Sequence, residues 1–114
     1  MHLLWCERTQ PHAGLLPADG GSKAFATDVP PKTKPLDLQG FGHVLEYPDV
    51  TLERLTEEHG MLAVNADHDL KVGDTVHVIP NHICSTVNLH DAVYMVDGHG
   101  AVEELQVSAR GKIW

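Results

Sequence analysis

Two β-rich runs separated by a short glycine-containing segment constrain the fold of this chain more than any other feature. Residues 92–96 and 102–107 are rich in valine and other strand-forming residues, and Asp97-Gly98-His99-Gly100 lies between them. Glycine accepts the positive φ angles that a tight hairpin turn requires. The pattern therefore predicts an antiparallel β-hairpin over residues 92–107.

Shorter runs elsewhere in the chain also have the character of strands. Residues 42–47 predict a strand that ends at a Pro48-Asp49 turn, and residues 75–79 alternate between two faces. Residues 22–28 are β-compatible and run into two prolines, which predicts a strand followed by a loop. Several short strands with regular turns predict an all-β fold, a compact β-barrel-like domain whose strands are mostly antiparallel.

The first twenty residues have prolines and glycines but no sustained period. We predict an irregular lead-in over residues 1–20 and a β-domain over residues 21–114. Residues 50–59 fit two patterns, because Asp49 as a cap with leucines at 52 and 55 suits a short helix, whereas alternation suits a strand.

A histidine and a cysteine one residue apart form the most distinctive chemical feature. In an extended chain His82 and Cys84 would point to the same face, about 6.6 Å apart. Imidazole and thiolate are both zinc ligands, and two protein ligands would leave positions open for water or substrate. Alternatively, Ser85 caps a short helix through Leu89 and places Cys84 at its start. An ordinary buried thiol beside a hydrogen-bonded imidazole is the structural alternative to metal binding.

Several motifs together resemble one enzyme family. They are Gly21 to Asp28, Glu57-Glu58-His59-Gly60, Gly73-Asp74, Pro80 to Leu89, and Ala109-Arg110-Gly111. Their order and spacing resemble the C-terminal β-domain of the D-serine dehydratase and D-threonine aldolase family, from about residue 21 to residue 114. The resemblance favours a strand over residues 50–59 that leads into residues 61–64.

This resemblance implies a specific chemistry. Enzymes of the family are alanine racemase-like and use pyridoxal phosphate, and the dehydratase branch holds zinc through an H-x-C pair that falls on His82 and Cys84. Their aldolase branch has Asp at the second place, so Cys84 favours the dehydratase reaction, which removes water and ammonia from a D-β-hydroxy amino acid. An aldolase-like retro-aldol reaction and a non-enzymatic metal-binding or scaffold module are the alternatives.

The resemblance also implies a missing partner domain. An eight-stranded pyridoxal-binding barrel needs about 250 residues, and this chain has 114. We do not assign Lys23 as the cofactor lysine, since it matches a different family segment and is expected to lie on a strand. We therefore expect no lyase turnover from this chain alone, and a barrel domain and a homodimer as partners. The chain is either a fragment, an excised domain or a stand-alone relative.

Other polar residues have a functional and a structural interpretation. His59 is a candidate base or third metal ligand, with a hydrogen-bonded hairpin histidine as the alternative. Glu57 and Glu58 are expected on opposite faces of a strand, and Arg110 in an ion pair with an acidic residue. Asp91 and Asn88 are candidates to orient His82 by a hydrogen bond to its ring. His77 is expected on a strand face.

Charge and cysteine content narrow the setting. The net charge is −8, from 8 basic and 16 acidic residues, and this argues against nucleic acid and anionic membranes as partners. The amino-terminal apolar run is too short for an export signal. Cys6 and Cys84 are the only thiols, and a disulfide between them is an alternative to the ligand pair. A reducing cytoplasm is the simpler expectation.

Overall fold

A computed structural model describes residues 14–28, 34–65 and 67–112. The described residues form seven strands and one short helix. They are β1 (Gly14–Asp19), β2 (Gly42–Val44), β3 (Thr51–Leu55), β4 (His59–Val64), β5 (Val78–Pro80), α1 (Ile83–Val87), β6 (Ala92–Val96) and β7 (Val102–Gln106).

Five strands make one antiparallel sheet in the order β1-β4-β3-β2-β5. β4 pairs along its full length with β1, from Asp19↔His59 to Gly14↔Val64. β3 and β4 form a hairpin whose register shifts between Leu52 and Arg54. The strand interpretation of residues 50–59 is thus confirmed for residues 51–55, and residues 56–58 form the turn.

Strand alternation builds the core. In β4, Gly60, Leu62 and Val64 are buried, whereas the residues between them are less so, because successive side chains point to opposite faces of a strand. The buried apolar residues form one cluster, which comprises Leu16, Ala18, Val44, Val50, Leu52, Leu62, Val64, Leu70 and Val76. One face of the five-stranded sheet therefore supplies most of the core.

The predicted carboxyl-terminal hairpin is present and forms a separate two-stranded sheet, β6-β7. In its turn, one carboxylate oxygen of Asp97 accepts the backbone N–H groups of His99 and Ala101 at 2.8 and 2.9 Å. Every residue of β7 is exposed. Tyr94, Met95 and Val96 of β6 are each more than half exposed, so this hairpin has exposed apolar side chains interspersed with Glu103, Glu104 and Gln106 of β7.

The all-β class and the antiparallel arrangement are confirmed. In the described part of the chain β1 and β5 are the two ends of the large sheet, which is open and not a closed barrel. No helix among the described residues is long and apolar enough to cross a membrane.

Four local predictions are wrong in whole or in part. Residues 14–19 of the predicted irregular lead-in form β1, while the first thirteen residues lie outside the described part. Residues 22–24 form a turn instead of a strand, so Lys23 is not a strand lysine. The strand predicted over 42–47 ends at Val44. Of the strand predicted over 75–79, only residues 78 and 79 lie in β5, which ends at Pro80.

One exposed polar contact extends the pairing of β2 with β5. Glu46 follows β2, and its carboxylate contacts the ring Nδ1 of His77 and accepts the His77 backbone N–H at 2.9 Å. These two contacts lower the pKa of Glu46 from 4.5 to about 2, and the contact with the His77 ring has the larger effect. The carboxylate is therefore stabilised in the folded state.

We predict a pH-dependent contribution of Glu46 to stability. Because the folded pKa is depressed, the stabilisation is present above about pH 4.5 and is lost as pH falls toward 2. Denaturant unfolding at pH 5 and at pH 2.5 should show a smaller loss for Glu46→Gln than for the parent. Glu103→Gln, on exposed β7, is the matched control. Equal losses for the parent and Glu46→Gln would contradict this contribution.

Candidate functional site

The end of β5 carries the chain to the histidine of the H-x-C pair. The Asn81 side chain donates to the carbonyls of Gln39 and Gly40 at 3.1 and 2.9 Å, and its backbone N–H donates to Phe41 at 3.1 Å. Asn81 is thereby attached to the loop that precedes β2. These bonds therefore fix the backbone immediately before His82.

α1 begins immediately after His82. His82 has extended angles, φ −132° and ψ 99°, and occupies the N-cap position without a side-chain capping bond. Cys84 is the second residue of the helix and is exposed. The extended geometry predicted for the pair is therefore wrong, because residues 82–84 are not a continuous strand. The alternative of a short helix with Cys84 at its start is confirmed, but its N-cap is His82 and not Ser85.

A carboxylate from a distant part of the sequence meets the start of α1. Asp28 Oδ2 contacts His82 Nδ1 and accepts a hydrogen bond from Ser85 Oγ. The pKa of Asp28 is lowered, first by the hydroxyl of Ser85 and then by His82. Both side chains of the Asp28–His82 pair are about half exposed, at 48% and 52%, so the contact lies at the surface.

Thr86 connects the segment that carries Asp28 to α1. Its hydroxyl donates to the carbonyl of His82 at 2.8 Å and accepts the backbone N–H of Ala26 at 3.2 Å. Thr86 is only 7% exposed, and it is the buried polar residue of the described chain. A second bond joins the same two parts, because His90 Nε2 donates to the carbonyl of Ala24 at 3.0 Å.

The other end of this segment is attached to the β3–β4 turn. The backbone N–H groups of Gly20 and Ser22 donate to the carbonyls of Glu58 and Thr56 at 2.8 and 2.7 Å. A Cβ on Gly21 would lie 2.3 Å from the Thr56 carbonyl oxygen, so the chain approaches the turn more closely than a side chain permits. Residues 20–28 therefore bridge the sheet and the helix.

The two glutamates of the turn act on one lysine. Lys23 Nζ contacts Glu58 and lies 3.7 Å from Glu57. The hydrogen bond from Lys23 to Glu58 raises the pKa of the lysine. The expectation that Glu57 and Glu58 occupy opposite faces of a strand is wrong, because both lie in the turn.

The remaining polar predictions have mixed outcomes. Arg110 forms the predicted ion pair, with Asp91 at 2.9 Å. Asn88 Oδ1 accepts the Gly111 N–H at 3.2 Å, so neither Asp91 nor Asn88 takes the supporting role that Asp28 has. Cys6, the predicted alternative partner of Cys84, lies outside the described residues.

His59 does not extend the histidine–cysteine pair. It begins β4, and its backbone N–H donates to Thr56 Oγ1 at 3.0 Å. Among residues 14–28, 34–65 and 67–112, no three His, Cys, Asp or Glu side chains converge as metal ligands. Of the predicted site residues, His82 and Cys84 lie at the start of α1, and His59 lies on β4.

Asp28 is the residue of this site that sequence reasoning missed. The sequence contained two signals. Asp28 is the last residue of the 21–28 motif, and that motif occurs together with the H-x-C pair in the order typical of the family. The contact itself spans more than fifty positions in sequence, and the turn at 22–24 that brings it about was predicted as a strand.

Fold and site together define a small antiparallel β-domain with a polar cluster at the start of its short helix. A family model described as "Putative serine dehydratase domain" matches residues 8–96, which include Asp28, His82 and Cys84. The chain belongs to this family.

Curated relatives of two lengths match the chain. An uncharacterized protein of Mycobacterium tuberculosis is 36% identical over 95 residues, which cover 82% of this chain and 68% of that protein. The 3-hydroxy-D-aspartate aldolase of Paracoccus denitrificans is 34% identical over 104 residues, which cover 90% of this chain and 23% of the aldolase. The chain therefore spans about a quarter of the enzyme and a much larger part of the mycobacterial relative.

A solved structure agrees with the fold. D-threonine aldolase from Filomicrobium marinum has a TM-score of 0.72 and 28% identity, and the match covers 99% of this chain and 28% of that protein. The chain thus matches a little over a quarter of that aldolase.

We predict that the Thr86 hydroxyl stabilises the domain. Thr86→Val would leave the Ala26 N–H and the His82 carbonyl without this partner, and an unpaired buried group costs about 1 to 3 kcal/mol. Thr86→Ser keeps the hydroxyl and should recover most of the loss. Free energies of unfolding measured in denaturant test both variants, and a Thr86→Val chain as stable as the parent would contradict this role.

Proposed function

We propose that this chain is the metal-bearing β-domain of a pyridoxal phosphate-dependent lyase that acts on D-β-hydroxy amino acids, with His82 and Cys84 as protein ligands of a zinc ion. The observation that carries the proposal is the contact of Asp28 with His82 Nδ1 at the start of the helix that also bears Cys84. Histidines that bind a metal through one ring nitrogen commonly donate a hydrogen bond from the other ring N–H to a carboxylate.

The chemistry of the donor set fits zinc. A histidine nitrogen and a cysteine thiolate are both ordinary zinc ligands, and both side chains are exposed at this surface. Because no third ligand converges among the described residues, we propose an open site whose remaining positions belong to water, substrate or groups from outside this domain. Such openness is typical of catalytic zinc and differs from structural zinc.

Each part of the domain has a role in this proposal. A bound zinc ion would supply Lewis-acid polarisation of the substrate hydroxyl. His82 and Cys84 hold the ion, and the 20–28 segment fixes the position of Asp28 behind His82. Pyridoxal phosphate would be bound by a barrel domain supplied by the rest of the enzyme or by a partner chain.

The surface has room for such a partner. The β6–β7 hairpin exposes Tyr94, Val96 and Val102 on one face, because alternate residues of a strand share a face and Val96 pairs with Val102. Exposed apolar patches are typical of interaction sites. The chain also matches only about a quarter of the Paracoccus aldolase. We propose that this hairpin contacts the barrel domain, within one chain or across a homodimer.

Two reactions remain candidates. Elimination of water and ammonia is favoured by the cysteine at position 84, which the resemblance assigns to the dehydratase branch. Retro-aldol cleavage is favoured by the 34% identity to an enzyme named as an aldolase. A non-enzymatic metal-binding or scaffold module is the third candidate, because this chain covers 68% of the uncharacterized mycobacterial relative and the remainder of that relative is too short for a barrel of about 250 residues.

We predict that the purified chain binds about one zinc ion through these two side chains. Elemental mass spectrometry after dialysis against zinc-containing and then zinc-free buffer should find the metal in the parent chain. His82→Ala and Cys84→Ser should both lose it, since an open site with one remaining protein ligand binds weakly.

His99→Ala is the matched control, because this histidine lies in the exposed β6–β7 turn and its contact in the structure uses the backbone N–H. It should retain the zinc of the parent. A parent chain without metal, or variants that keep it, would contradict the proposed ligands.

A further inference from the structure

We infer that Asp28 is a positioning residue that selects the Nε2 atom of His82 as the metal-binding nitrogen. This inference rests on the proposed zinc site. Asp28 is outside the H-x-C pair and reaches it from the 20–28 segment.

The selection follows from the hydrogen-bonding character of the two groups. An ionised carboxylate only accepts hydrogen bonds, so the His82 Nδ1 that contacts Asp28 Oδ2 must carry a hydrogen. A neutral imidazole then has its lone pair on Nε2. Without the carboxylate, either ring nitrogen can carry the hydrogen, and part of the population presents the wrong atom to the metal.

Asp28 is held in the position that this role requires. The hydroxyl of Ser85 donates to the same Oδ2 atom that contacts His82, and Ser85 is on the helix that begins just after His82. Two residues before Asp28, the Ala26 N–H is bonded to Thr86 of that helix. The carboxylate, the imidazole and the thiol-bearing helix therefore belong to one connected unit.

The arrangement distinguishes positioning from direct ligation. If Asp28 acted only as a metal ligand and had no hold on the His82 ring, its loss would weaken binding but would leave the tautomer of the metal-free chain unchanged. If Asp28 positions His82, its loss must also change which ring nitrogen carries the hydrogen before any metal is added. The tautomer of His82 is therefore the decisive observable.

The experiment combines two measurements on the parent chain and on Asp28→Ala. Long-range ¹H–¹⁵N correlation spectra of the metal-free chain, at a pH where imidazole is neutral, report the tautomer, with the His82 signals assigned by comparison with His82→Ala. Zinc affinity is measured by competition with a chromophoric chelator. We expect the parent to have its hydrogen on Nδ1. Asp28→Ala should shift the population toward Nε2–H and weaken zinc binding about 10- to 100-fold.

Two further variants guard the interpretation. Ser85→Ala removes only the hydroxyl that holds Asp28 and should shift both readouts in the same direction by less. Asp91→Ala removes a carboxylate that pairs with Arg110 and should leave both unchanged. Thermal unfolding of each variant verifies that it is folded. If Asp28→Ala does not fold, Ser85→Ala carries the test, and parent-like readouts in it overturn the inference.

The outcomes separate this inference from the proposed function. A parent chain that binds no zinc refutes the metal site. The tautomer measurement then still tests whether Asp28 keeps the hydrogen of His82 on Nδ1. Zinc binding that survives in Asp28→Ala at parent affinity overturns the positioning role while leaving the site intact. Weaker binding with an unchanged tautomer also overturns it and indicates direct ligation.

Discussion

The hydroxyl of Thr86 joins the two parts of the chain on which the candidate site depends. It bonds the carbonyl of His82 within its own helix and the N–H of Ala26 in the segment that carries Asp28. Because Thr86 is buried, both bonds are shielded from competing water, and their loss would leave polar groups without this partner. The buried hydrogen bonds of Thr86 thus fix the two segments whose side chains, Asp28 and His82, make the half-exposed contact.

The sheet sets the position of the helix, and the 20–28 segment ties the two together. β4 pairs with β1 on one side and β3 on the other, and the turn between β3 and β4 accepts the backbone of residues 20 and 22. The same segment then reaches α1 through Ala24 and Ala26. The family match, which covers residues 8–96, includes both β1 and this segment.

Much of this architecture could be predicted from local sequence. The β6–β7 hairpin and the Pro48-Asp49 turn follow from turn chemistry, and the Arg110 ion pair follows from the acidity of the chain. β1 was missed because Pro17 and the flanking glycines mask its strand character, although Pro17 is tolerated on a strand at the edge of the sheet. Asp28 was missed for a different reason, since its contacts with His82 and Ser85 depend on tertiary structure that no local period reports.

Zinc K-edge X-ray absorption on the loaded chain tests the proposed ligand pair most directly, because it reports the elements bound to the ion. We predict a first shell with one sulfur at about 2.3 Å and nitrogen at about 2.0 to 2.1 Å. The sulfur should disappear in Cys84→Ser, and the remaining shell should contain only nitrogen and oxygen. A shell without sulfur in the parent chain, or one unchanged in Cys84→Ser, would contradict the assignment of Cys84 as a ligand.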